Sequence, residues 1–201
     1  MTQPAHADFE IEGAIQRGHI STGTAANAAR QNVAAWFVHA DAGYTFAGAW
    51  KPRVSIEYDH ASGDRAGGRY GRFDTLFGMR RADFAPAGLY NSILRSNIIS
   101  AGPRIEVVPS KRTDLMATIH PMWLAARQDS FSSTAVRDVS GRSGSYAGTQ
   151  FDARIRHRLT PALQIEADAV LLDKGRFLRD APNAPPGHWT RYLSLNATAT
   201  F

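Results

Sequence analysis

The chain has 201 residues, a formal net charge of +5, no cysteine and a hydrophobic content of 43%, which is low for a packed globular core. Mean hydropathy is −0.31, and no run approaches the ~18–20 uninterrupted apolar residues a membrane helix needs, so a helical membrane protein is excluded. With no cysteine, disulfides, thiolate metal sites and a cysteine nucleophile are excluded too. A membrane β-barrel is untouched by these exclusions, because its strands are apolar only on alternate residues.

The start, "MTQPAHADFEIEG", has neither a charged n-region nor an apolar h-region, so no secretory signal is read in it. A cytoplasmic protein, a mature form or a fragment would each fit. From there two-residue alternation recurs to the end, with almost no helical periodicity. Eight strand-like segments are expected. "DFEIEGAIQRG" sets Phe9, Ile11 and Ile15 against Glu10, Glu12 and Gln16. "NVAAWFVHADAGYTF" sets Trp36, Val38, Ala40, Ala42, Tyr44 and Phe46 against Phe37, His39, Asp41 and Thr45. "KPRVSIEYDHAS" sets Val54, Ile56 and Tyr58 against Arg53, Ser55, Glu57 and Asp59.

"NIISAGPRIEVVPS" is less regular, with Ile105 and Val107 opposing Arg104 and Glu106. "DLMATIHPMWLAAR" opposes Ala117, Ile119 and Trp123 to Thr118, His120 and Met122. "TQFDARIRHRLT" opposes Phe151, Ala153 and Ile155 to Asp152, Arg154, Arg156 and Arg158. "ALQIEADAVLLDKGRF" opposes Leu163, Ile165, Ala167 and Ala169 to Gln164, Glu166 and Asp168. "YLSLNATATF" closes the chain, with Leu193, Leu195, Ala197, Ala199 and Phe201 on one face and Ser194, Asn196, Thr198 and Thr200 on the other.

Short connections ("AGAWKP", "PSKRTD", "RLTPAL") take turns with long ones near 20–31, 63–96, 131–147 and 176–188. That alternation and strands of ~10 residues are the signature of an antiparallel up-and-down transmembrane β-barrel, all-β and spanning residues 1–201 as one unit. Trp36, Tyr44, Phe46, Tyr58, Trp123 and Trp189 stand at or near strand ends, where the two interfacial girdles of a barrel place aromatics. Ordinary β-propensity of aromatics is the competing explanation.

The 23 basic residues are all arginine except Lys51, Lys111 and Lys174. Arginine's planar fork matches carboxylates and phosphates, which points to a polyanion partner. A codon bias toward arginine explains the same composition. The segments "SIEYDHASGDR", "GRFDTLFGMRRADFAPAGLYN", "SNIISAGPRIEVVPSKRTDLMA", "RQDSFSSTAVRDVSGRSG" and "GRFLRDAPNAP" resemble, in order and spacing, the C-terminal half of the alginate export family. The resemblance covers at least residues 32–201. It implies a bacterial outer-membrane barrel of about eighteen strands, with an arginine-rich pore for a polyuronate. About eight strands stand here, so the chain is expected to be part of a larger barrel. Eight strands closed on themselves would leave room only for side chains.

An alginate chain carries one carboxylate per sugar, and ladders of fixed cations are the physical solution for anion pathways. Arg154, Arg156 and Arg158 would form such a ladder in steps of roughly 7 Å, joined by Arg53 and Arg104. Glu57, Asp59, Glu106, Asp152, Glu166 and Asp168 are expected to pair with them and temper their affinity. Structural ion pairs filling a barrel interior are the alternative role for each arginine. The expected partners are an anionic polysaccharide, outer-membrane lipid, and the barrel assembly machinery through the terminal aromatic Phe201.

No nucleic-acid partner is expected, because basic–aromatic interleaving is lacking. No cofactor, metal site or catalytic residue is expected either. Asp59 and His60 alternate faces, no nucleophile elbow is present, and "SGDRAGGRYG" has no GK[ST] after it. The segment from "DTLFG" to "GLYN" is read as a short helix, a lumenal constriction or a solvated loop. The competing function is a small or truncated outer-membrane barrel with a structural or adhesive, non-transporting role.

Overall fold

The computed structural model describes residues 5–75, 84 and 93–201. Eight strands run in chain order: β1 (His6–Ser21), β2 (Arg30–Thr45), β3 (Arg53–Ala61), β4 (Ile98–Ser110), β5 (Thr113–Trp123), β6 (Tyr146–Thr160), β7 (Leu163–Lys174) and β8 (Trp189–Ala199). One short helix, α1 (Arg176–Asp180), interrupts the link between β7 and β8. Every strand pairs antiparallel with its sequence neighbour, giving one up-and-down sheet in the order β1 to β8. The sheet is not closed: β1 and β8 are its two edges. Among the described residues no helix is long and apolar enough to cross a membrane, which says nothing of strands.

All eight expected strands are present, with shifted ends. β5 stops at Trp123 instead of running on to Arg127, and β7 stops at Lys174, where the chain turns into α1. β8 ends at Ala199, so Phe201 stands beyond it, fully exposed. The loop asymmetry is also present. Links 22–29, 62–97, 124–145 and 175–188 share one end; the other end has link 46–52 and the two-residue turns Lys111–Arg112 and Pro161–Ala162. Proline at 161 presets the φ that the first position of a tight turn requires.

The two faces follow the alternation. The outer face shows Val38, Val54, Ile56, Ile105, Ile119, Phe151, Ile155, Leu193 and Leu195, all exposed. Trp36, Tyr58, Trp123 and Trp189 band that face toward the long links, and Tyr44, Phe46 and Trp50 band it toward the short turns. The inner face carries the polar partners, and the long links fold onto it.

The β4–β5 ladder lapses between Ser100↔Met122 and Arg104↔Thr118. Pro103 and Pro121 stand in that gap, and neither has an N–H to give. The two backbones close in there, so that a Cβ on Gly102 would collide with the carbonyl of Ile119.

The links are not loose loops. Phe73, Phe84, Ile93, Leu124, Phe131, Val136, Phe177 and Leu178 are buried with Phe37, Ile98, Met122 and Leu172 in one apolar cluster over the long-link end of the inner face. Polar ties stitch the links together. Asn97 is fully buried and donates through Nδ2 to the carbonyls of Ala126 and Ser130, while its Oδ1 accepts from the Ala126 N–H at 2.7 Å. Arg72 meets Asp129 at 2.8 Å, and Asn183 joins link 175–188 to Arg137 and Ala135. The segment from "DTLFG" to "GLYN" lies outside the described residues except for Asp74, Thr75 and Phe84.

Within this cap, the layer that the long links form over the inner face, the Asp138 carboxylate accepts from the N–H and hydroxyl of both Ser140 and Ser143. Those four bonds hold its pKa well below the ordinary carboxylate range, the Ser140 hydroxyl contributing most. A carboxylate lowered on folding stabilises above its unfolded pKa of about 4 and loses that contribution only as pH falls through the folded value. The amide of Ser143 is therefore expected to stay protected from exchange at pH 4 and to lose protection at lower pH, whereas Asp138→Asn loosens it already at pH 7. Gly102→Ala is expected to lower stability by about 1–3 kcal/mol, read as an earlier midpoint in denaturant unfolding followed by tryptophan fluorescence.

Candidate functional site

The antiparallel register sets the inner-face side chains in rows across the sheet. One row runs His6, Thr45, Arg53, Glu106, Met116, Arg154, Asp168, Ser194. The next toward the short turns includes Asp114, Arg156, Glu166 and Asn196. Beyond it stand Arg158, Gln164 and Thr198. The arginines of β6 thus form a ladder on one face, as their spacing requires, and each rung meets different neighbours.

Arg53 is the most tightly held. Its guanidinium contacts Asp8 on β1 and Asp41 on β2, bonds Ser55 at 2.9 Å and lies 3.5 Å from Glu106 on β4. Gly43 leaves the room: a Cβ there would run into the Arg53 guanidinium. Arg104 bridges Glu57 at 2.9 Å and Glu106 at 2.8 Å. Arg154 meets Asp114 at 3.2 Å; Arg156 meets Glu166 at 2.8 Å and Asp114 at 3.9 Å. Arg158 is exposed and has no carboxylate partner among the described residues.

The expected carboxylates divide. Glu57, Glu106 and Glu166 do pair with ladder arginines. Asp59 pairs instead with Arg95 of link 62–97 at 2.8 Å and with His39 at 2.9 Å. Asp152 is buried and bonded by Thr118 and Gln150, with no arginine on it among the described residues. Asp168 is buried and takes Ser194 at 2.8 Å and Asn196 at 3.3 Å. His60 points to the outer face and packs on Trp36, centroids 4.6 Å apart, away from Asp59.

Sequence reading did not assign Asp8, Asp41 and Asp114 to the arginines they pair with, nor Arg95, which ties the links to β1 and β3. Their signal was strand parity: Asp41 shares a face with Gly43 and Thr45, and Asp114 with Met116. It also missed a concentration of acid on β1–β3. Asp8, Glu10, Glu12, Asp41, Glu57 and Asp59 share the inner face there with Arg53, while β6 carries the basic stripe. Much of the remaining arginine stands off the inner face, in the links, at Arg65, Arg69, Arg127, Arg137 and Arg142.

Phe84 sits buried on the inner face, its ring 5.6 Å from His120 and its carbonyl accepting from Gln150. The inner face is thus narrowed at the cap and open toward the short turns. No cluster of three or more potential metal ligands occurs among the described residues. Chemically the arrangement offers fixed cations, each positioned by carboxylates, along one wall.

A family model described as alginate export matches residues 1–187. β8 lies past that range but continues the same ladder. No curated protein matches the chain.

Clamped and unclamped arginines should respond differently to removal. Arg53→Ala leaves Asp8, Asp41 and Glu106 facing one another without a cation, and is expected to cost about 3 kcal/mol. Arg158→Ala is expected to change stability by less than about 0.5 kcal/mol, both read from denaturant midpoints.

Proposed function

The chain belongs to the alginate export family, and we propose that it forms part of an outer-membrane channel through which an anionic polysaccharide such as alginate leaves the cell. Family membership supports polysaccharide export; the β6 ladder with its carboxylate partners supports the anionic substrate. A polyuronate needs cations that attract it without trapping it. Arg154 and Arg156, each already shared with Asp114 and in part with Glu166, meet that need. Arg53 and Arg104, held by two or three carboxylates each, position the wall and set its field. Glu57, Asp59 and Glu106 serve the lumen as counter-charges, and Asp152, bonded by Thr118 and Gln150, as a polar spacer.

The apolar outer face is the lipid contact in this reading. An apolar surface this continuous is rare on a protein bathed in water and marks a membrane or partner face, and its two aromatic bands fit the two interfaces. The free edges of β1 and β8 are not tolerated in lipid, so further strands complete the pore.

The test is conduction through the full-length protein in planar bilayers, joined to secretion in cells. Replacing Arg154 and Arg156 by alanine uncovers Asp114 and Glu166, so chloride-over-potassium preference is expected to fall and to turn toward cations, with polymer secretion reduced several-fold. Unchanged selectivity would remove the ladder from the substrate path.

A further inference from the structure

At the short-turn end of the sheet a hollow of about 450 Å³ takes in Arg112, Arg158, Thr160, Gln164, Thr198 and Thr200, with the Pro161–Ala162 turn and Leu163 completing its lining. Its volume falls in the range of about 300–1,000 Å³ usual for small-ligand sites. Three of these residues form one row of the ladder, Arg158↔Gln164↔Thr198, directly below Arg156↔Glu166↔Asn196. Where the upper row has a glutamate beside its arginine, the lower has a neutral amide. Arg112, in the turn between β4 and β5, is held alongside by the bond from the Arg158 N–H to its carbonyl at 2.8 Å. Neither guanidinium has a carboxylate partner among the described residues. Charge compensation, complete at the rungs above, therefore stops at this rim.

We propose that Arg112 and Arg158, with the amide of Gln164 and the hydroxyls of Thr160, Thr198 and Thr200, form a binding site for one uronate unit of the polymer at the short-turn mouth. The proposal rests on the export reading and adds to it a place of first capture. Two guanidinium forks take the sugar carboxylate. The threonine hydroxyls and the amide both donate and accept, as sugar hydroxyls require. A lipid phosphate fits worse, because Gln164 and Thr198 share the inner-face parity of Glu166 and Asn196, away from the apolar face. The unit then passes from uncompensated cations to the compensated Arg156 and Arg154, which hold it more weakly and let it move on.

The measurement is block of chloride current through the full-length channel by a uronic-acid trisaccharide added from the short-turn side. In R112Q/R158Q the blocking constant is expected to weaken at least about tenfold, with chloride-over-potassium preference lowered as two fixed cations leave the mouth, while block from the opposite side stays near that of the unsubstituted channel. The pair R112K/R158K keeps the charges and is expected to retain part of the block, which a folding defect would not. Unchanged block in R112Q/R158Q overturns the rim site and leaves the export reading standing. Inorganic phosphate blocking as well as the trisaccharide overturns the assignment to a sugar carboxylate. A channel with neither anion preference nor trisaccharide block overturns both readings.

Discussion

The rest of the structure depends on one constraint: a guanidinium set on a sheet face finds most of its carboxylates on other strands, because its own strand gives every second residue to the other side; Arg104 with Glu106, two residues along β4, is the exception. Arg53 shows how far this reaches. Its partners Asp8, Asp41 and Glu106 belong to β1, β2 and β4, so one side chain on β3 fixes the relative heights of four strands. A slip of one residue in any of them would turn a carboxylate outward and bring an apolar side chain in. Charge pairing and strand register are thus the same specification. Net stabilisation from such pairs is modest, since desolvation consumes much of the attraction; their larger effect is on which alignment is allowed.

The second organising element is the cap. A sheet with an apolar outer face and a charged inner face has no ordinary hydrophobic core. The core here lies between the long links and the upper inner face, around Phe37, Phe131 and Phe177. That is where a water-excluding cluster can form without competing with the charged rows below it. Buried amides such as Asn97 then take over the work that sheet hydrogen bonds do elsewhere, tying irregular backbone across segments about thirty residues apart.

The strands were legible in the sequence because alternation is local: Trp36, Val38 and Ala40 announce a face without any knowledge of the neighbouring strand. The chain order of the sheet followed from turn lengths at 111–112 and 161–162. The pairing of charges was not legible in the same way. Nothing between Asp8 and Arg53 signals their contact; it arises only when β1, β2 and β3 are laid side by side in register. The ladder on β6 was visible, yet the difference between Arg156 and Arg158 depends on whether β7 sets Glu166 or Gln164 opposite, a matter of register again. The cap was invisible because Phe73, Ile93, Phe131 and Leu178 follow no period; their clustering is set by how three links fold over one another.

The cap also has a mechanical consequence. Link 62–97 is bonded to β1 through Gln16 and Asp74, to β2 through Tyr70 and to β3 through Arg95, while link 175–188 grips the end of β7 through Lys174 and the carbonyls of Pro185 and Pro186. These are cross-braces spanning the sheet at one end only. A ribbon braced along one rim and joined by two-residue turns along much of the other is stiff against splaying at the first and compliant at the second. Flexing is therefore expected at the rim of Arg112 and Arg158, while the spacing of the strands at the opposite rim is set by the links.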